Sequence, residues 1–112
     1  MDRSSYAEAN RGAWNTTAPK HAAVAYRDLL ERFARPGYSH LTPFEQARLE
    51  EIGIRGRDIV QLACNNGREL LSLKNLGARH CVGFDISEQF IEQARGLAQA
   101  GNIEWRASEC HI

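Results

Sequence analysis

Between positions 58 and 85 the spacing of apolar residues changes period twice. Ile59, Val60 and Leu62 form an apolar run too short for a typical helix, and the pattern predicts a strand. A polar turn follows through Asn65, Asn66 and Gly67, after which Leu70, Leu71, Leu73 and Leu76 recur at helical spacing. A second short apolar segment then ends on Asp85. Strand, helix and strand of this length make a βαβ unit, whose crossover forces the two strands to run parallel.

The flanking segments read as helices. Ser4 or Ser5 can cap a first one with Tyr6, Asn10 and Trp14 at four-residue spacing, although Gly12 weakens it. Thr17 and Pro19 restart a better helix, with Ala22, Ala25, Tyr26, Leu29, Leu30 and Phe33 as its apolar stripe and Arg35-Pro36-Gly37 as its stop. Thr42, Pro43 and Glu45 match a cap, a first-turn proline and a capping-box acid. In that third helix Phe44, Ala47 and Ile52 are expected to face inward, with Gly53 as terminator. After Asp85, Ser87 can cap a helix carrying Phe90, Ile91, Ala94, Leu97 and Ala98 and ending near Gly101, and Asn102 to Arg106 reads as a third strand.

The predicted fold is therefore α/β: a Rossmann-like parallel sheet of about three strands, helices on both faces, and an N-terminal helical cap. The expected division is a cap over residues 1–57 and the first half of a Rossmann-like domain over 58–112. With 112 residues the chain is one structural domain, large enough for a core but short for a full doubly wound sheet. The expectation is of an incomplete sheet whose last edge, after Arg106, is uncovered.

Charge adds mainly exclusions. Lys plus Arg and Asp plus Glu are both 14, so no global field favours nucleic acid or anionic lipid, and no nucleic-acid or membrane partner is expected. The three cysteines, Cys64, Cys81 and Cys110, form no CxxC pair and read as buried small hydrophobes. With no apolar N-terminal segment, a cytoplasmic location is expected. His21, His40, His80 and His111 are scattered, so no metal site is expected.

In a βαβ unit the ligand lies beyond the carboxyl ends of the strands. Here those ends are the turn from Ala63 to Gly67 and the residue Asp85, 18 positions after Gly67. That separation is close to the roughly 20 residues at which an acid reaches a ribose diol in nucleotide folds. A dinucleotide pyrophosphate calls for GxGxxG at a helix N-terminus, and only Gly67 of such a pattern is present. Loop amides for a carboxylate, an acceptor for a ribose and an apolar slot for adenine suit S-adenosylmethionine instead.

The segment VQLACNNGRELLSLKNLGARHCVGFDISEQFIEQAR resembles the glycine-loop motif, following helix and acidic second-strand motif of the class I S-adenosylmethionine-dependent methyltransferases. EANRGAWNTTAPKHA is similar to the N-terminal helix that many small-molecule members fold over the cofactor, and LTPFEQARLEEIGIRGRDIVQLAC to the lead-in of bacterial members. The resemblance implies a methyltransferase using S-adenosylmethionine to methylate a small molecule. It sets Ala63, Cys64, Asn65, Asn66 and Gly67 against the methionine part, Asp85 on the ribose hydroxyls and Ile86 on the adenine face. Glu109, with Cys110 beside it, falls where an acid after the third strand usually binds the adenine amino group, and Trp14 and His21 approach the methionine end.

Two departures stand out. The acid that usually ends the first strand is Gln61, and two of the usual glycines are Ala63 and Asn65; asparagine tolerates a left-handed backbone better than most residues. The implied reaction is in-line attack on the sulfonium methyl, accelerated mainly by alignment, which can offset on the order of 7–11 kcal/mol. No catalytic base is identifiable, and the acceptor pocket usually comes from segments after the third strand, so the chain is expected to be the cofactor-binding portion, inactive alone. Two alternatives remain open at this point: a split or truncated module that folds by self-association through its open sheet edge, and a fragment of a nucleotide-dependent oxidoreductase.

Overall fold

The computed structural model describes residues 7–11 and 25–109. In chain order α1 is helical at 7–11, followed by α2 (Arg27–Phe33), α3 (Pro43–Ile52), β1 (Asp58–Leu62), α4 (Arg68–Asn75), β2 (His80–Asp85), α5 (Glu88–Gly101) and β3 (Arg106–Glu109). The strands form one parallel sheet in the order β1-β2-β3. Asp58 stands opposite His80, Leu62 opposite Phe84, and Asp85 opposite Glu109.

Right-handed crossovers that step the same way along a sheet put their helices on the same face. Accordingly Leu70 of α4 packs with Cys81 and Ile59, and Leu71 of α4 shares a core with Leu97 and Ala98 of α5. α2 adds a second layer, placing Leu29 and Phe33 in that core, with the Tyr38 ring edge-on to Phe33 at 4.9 Å. The segment after α2 is stitched to α4 through buried Ser72, whose hydroxyl donates to the Arg68 carbonyl (2.6 Å) and accepts from the His40 N–H (2.7 Å). Arg11 pairs with Glu88, bringing α1 to the start of α5.

Among the described residues the helices lie on one face of the sheet, and on the other Val60 and Leu62 are 61% and 64% exposed; two expectations are corrected. Phe44, Ala47 and Ile52 of α3 face outward, not inward, with Phe44 and Ile52 73% and 69% exposed. The capping box and left-handed Gly53 do form, but they define a helix's ends and say nothing about which face meets a core. The Phe44 ring lies instead under the Arg48 guanidinium, 5.7 Å from centroid to carbon. Finally, β3 starts at Arg106 because Asn102 adopts the left-handed cap of α5 and the Ile103 N–H turns back to the Ala98 carbonyl; a strand cannot begin through that closure.

At the amino ends of the strands, Arg79 donates to both carboxylate oxygens of Asp58 (2.9 and 2.7 Å) and His80 lies 2.9 Å from one of them. These bonds hold the Asp58 carboxyl well below the usual carboxylate range, the Arg79 contact foremost. No helix among the described residues is long and apolar enough to cross a membrane.

Gly83 is where the sheet and α4 meet most closely. A Cβ there would lie 2.8 Å from Cys64 Sγ and 2.9 Å from Leu70 Cδ2. Gly83→Ala is therefore expected to cost about 1–3 kcal/mol by overpacking, read as a lower urea midpoint with an unchanged slope.

Cys64 and Cys81 are buried, as small hydrophobes. Burial, with the nearby Asp85 charge adding, pushes the Cys64 thiol up to about 12. The folded state keeps the proton while the unfolded chain loses it above about pH 8.5, so stability falls as pH rises from there toward 12, by at most ~1.4 kcal/mol per pH unit. Melting temperature followed from pH 8 upward should show this decline, and Cys64→Ala should flatten it.

Candidate functional site

The apolar run of β1 ends at Leu62, and the chain turns sharply through two left-handed residues that are not glycine, Ala63 (φ 55°) and Asn65 (φ 58°), before left-handed Gly67 (φ 75°) opens α4. Ala63, Asn65 and Gly67 are the positions where the family motif carries glycine. The backbone keeps the glycine conformation although two side chains have changed, at a cost on the order of 1–3 kcal/mol for a strained residue such as Ala63. A Cβ on Gly67 would approach Ala94 to 3.2 Å and the Trp105 ring to 3.5 Å.

Asp85 ends β2 directly beside this turn. Its Oδ2 accepts the Asn65 N–H at 2.7 Å, and its Oδ1 accepts the Ser87 N–H at 2.9 Å. Ser87 in turn caps α5 through Phe90. Residues 20 apart in sequence thus meet at one place, the carboxyl ends of β1 and β2.

The turn's own amides are spoken for. The Asn66 N–H donates to Asn65 Oδ1 (2.7 Å) and the Gly67 N–H to the Cys64 carbonyl (2.9 Å). The expected row of open loop amides is therefore not at 65–67; the open donors belong to the first turn of α4, which precedes its first intrahelical bond, from Leu71 to Gly67. Below the turn, Gln61 Oε1 is buried without a hydrogen-bond partner among the described residues, a state that costs about 1–3 kcal/mol until a donor arrives.

Two side chains at the site escaped the sequence reading. Arg68 Nη1 donates to Asn65 Oδ1 (3.2 Å) and to Asn66 Oδ1 (3.0 Å), and Asn66 Nδ2 lies 3.4 Å from Gln93 Oε1. Asn66 and Gln93 are 6% and 7% exposed. A signal did exist: Gln93 is a polar residue three positions after Phe90, on the buried stripe of α5.

Of the other expected site residues, Ile86 follows Asp85 and is half-buried. Glu109 is the last residue of β3, within the strand rather than after it, and pairs in register with Asp85. Trp14, His21 and Cys110 lie outside the described residues.

A cavity of about 290 Å³ opens between α2 and the turn, bordered by Leu29, Arg32, His40, Asn65, Arg68 and Phe90. A larger one, about 590 Å³, sits at the opposite end of the sheet around His80 and Trp105. Ligands of open parallel sheets bind at the carboxyl ends, which favours the smaller. No cluster of three potential metal ligands occurs among the described residues.

No protein-family model matches the chain. It is 33% identical over 55 residues, 49% of its length, to a ribosomal protein L11 methyltransferase of Sodalis glossinidius, and 33% identical over 58 residues to one of Shewanella amazonensis. The chain spans 19% and 20% of the length of those relatives. Among solved structures, an S-adenosylmethionine-dependent methyltransferase of Clostridium acetobutylicum superposes with a TM-score of 0.54 over 88% of this chain and 37% of its own, at 15% identity, which speaks for the fold alone. A structure described as the conversion of a disulfide bond into a thioacetal group during echinomycin biosynthesis gives a TM-score of 0.52 at 26% identity, over 59% of this chain and 27% of that one. These likenesses, to methyltransferases in sequence over about half of the chain and to solved structures in fold, agree with the resemblance to the class I S-adenosylmethionine-dependent methyltransferases that the turn sequence and Asp85 carry.

Proposed function

We propose that this chain is the cofactor-binding portion of a methyltransferase that takes S-adenosylmethionine and methylates a small molecule. The observation that carries the reading is the 2.7 Å bond from the Asn65 amide to Asp85, which sets a carboxyl acceptor beside a turn of the right backbone shape. In this reading residues 1–57 are a cap and 58–112 the first half of the cofactor domain.

The residues fit the cofactor group by group. A carboxylate has about four lone-pair sites, and Asp85 has spent two on backbone donors, leaving acceptors for two ribose hydroxyls. Gln61 Oε1 is an orphaned acceptor suited to an ammonium donor, and the open first turn of α4 suits a carboxylate. In this proposal the turn from Ala63 to Gly67 borders the methionine part and Ile86 the adenine, and the family resemblance assigns Glu109 and Cys110 to the adenine edge and Trp14 and His21 to the methionine end. When bound, the cofactor supplies an electrophilic methyl group on a sulfonium. The chain's own task is to fix that group's direction, which is where alignment contributes.

Support for a small acceptor is the similarity of the opening segment EANRGAWNTTAPKHA to the N-terminal helix of small-molecule members. The ribosomal relatives favour a second reading, by their name, in which the acceptor is a protein.

The cofactor reading is tested by calorimetric titration of S-adenosylhomocysteine into the chain. Saturable heat is expected, weakened about tenfold or more by Asp85→Asn, since a hydrogen bond to a charged group contributes roughly 1.5–3 kcal/mol. A flat titration of folded wild type would sink the reading.

Self-association was expected through the sheet edge after Arg106; the exposed Val60 and Leu62 favour instead the bare face of β1 as the place where the chain pairs with a second copy. Sedimentation velocity should then show a concentration-dependent dimer that Leu62→Lys abolishes. A monomer at all concentrations would contradict it.

A further inference from the structure

The departures from a glycine-rich turn raise the question of what holds Asn65 and Asn66 in place. A glycine turn has no side chains to anchor, whereas this one is gripped from both sides. Arg68 Nη1 bonds both asparagine carbonyl oxygens, at 3.2 and 3.0 Å, and Asn66 Nδ2 reaches Gln93 Oε1 from the opposite side. Arg68 belongs to α4 and Gln93 to α5, so the turn is tied to both helices that pack on the sheet. Asn66 and Gln93 are both buried, and a polar network in a low-dielectric setting rigidifies what it joins.

We infer that Arg68 and Gln93 are positioning residues for the cofactor: a clasp that fixes the Asn65-Asn66 turn in the shape that the family obtains from glycine. This rests on the cofactor reading above. Arg68 acts through Asn65 Oδ1, which also caps the Asn66 amide at 2.7 Å, while the neighbouring Asn65 amide is held by Asp85. Loosening the guanidinium therefore frees the asparagine side chain and, through it, the backbone facing the ribose acid. Two strained left-handed residues, Ala63 and Asn65, give the turn reason to relax once released.

The test compares wild type with Arg68→Gln, Arg68→Lys and Gln93→Leu by amide hydrogen exchange and by S-adenosylhomocysteine titration. Arg68 is partly exposed, so its substitution leaves the core intact should Gln93→Leu fold poorly. Exchange at Asn65, Asn66 and Gly67 is expected to speed up at least tenfold in Arg68→Gln while β2 and α5 keep their protection, and the dissociation constant to rise about tenfold. Arg68→Lys, which keeps one cationic donor, should fall between. Unchanged exchange in Arg68→Gln overturns the clasp, whatever the affinity does. Fast exchange with wild-type affinity overturns the positioning role alone. A wild type that takes up no S-adenosylhomocysteine overturns the cofactor reading, and the positioning role with it.

Discussion

The Asp85 carboxylate, accepting from Asn65 on one side and Ser87 on the other at 2.7 and 2.9 Å, is what makes the ends of β1, β2 and α5 a single place. Charge-assisted bonds of this length are about twice as strong as neutral ones. One bond closes the turn after β1; the other fixes the residue whose hydroxyl caps α5. The first adds a side-chain tie to the Cys64 N–H bond that already joins the turn to the Phe84 carbonyl of β2 (2.9 Å). The second ties the residue that caps α5 to the end of β2. The sheet register brings Glu109 of β3 to the same end.

What could be read beforehand was whatever short-range chemistry decides. Thr42, Pro43 and Glu45 mark a helix start whose capping box forms as expected; Ser87 and the stripe from Phe90 to Ala98 likewise define α5. The meeting of Asp85 and the turn was legible because a βαβ unit leaves few geometries open. Illegible were properties that depend on what lies alongside. PFEQARLEEI has apolar residues scattered around its circumference, so no pattern could say which of Phe44, Ala47 or Ile52 meets a core, and among the described residues none does. The third strand was misplaced because Ile103 and Trp105 look like strand residues, yet they pack beneath α5 and α2. Arg68 and Gln93, 25 positions apart in sequence, were missed since side-chain networks follow three-dimensional proximity.

The turn shows how a glycine motif can be rewritten. Glycine supplies a left-handed backbone at no steric cost, and replacing it leaves two problems, strain and a side chain that needs somewhere to go. At Ala63 the side chain is small and only strain remains. At Asn65 and Asn66 the amides become the solution, since each carbonyl oxygen gives Arg68 something to hold. Cys64 between them is buried, its thiol against Gly83, so the turn is anchored from beneath as well. Strain released in one place is opposed by bonds in several others, which is why the motif can lose two glycines and keep its form.

The sheet's bare face follows from the same connectivity. Two crossovers stepping in one direction must stack α4 and α5 together, and α2 can then reach the core only by lying on α5, as Leu29 and Phe33 do. Alternation along β1 sends Ile59 and Gln61 toward the helices and Val60 and Leu62 away. Those two apolar side chains are not a packing error but the residue of a strand built to be covered on both faces, as strands of parallel sheets are. Continuous apolar character in β1 was read correctly as a strand; that it signals two buried faces, where the described residues cover one, is the further meaning of the same pattern. The site escapes this deficit because it is assembled on the covered side, from β1, β2, α4 and α5, whose mutual packing supplies the rigidity that the turn requires.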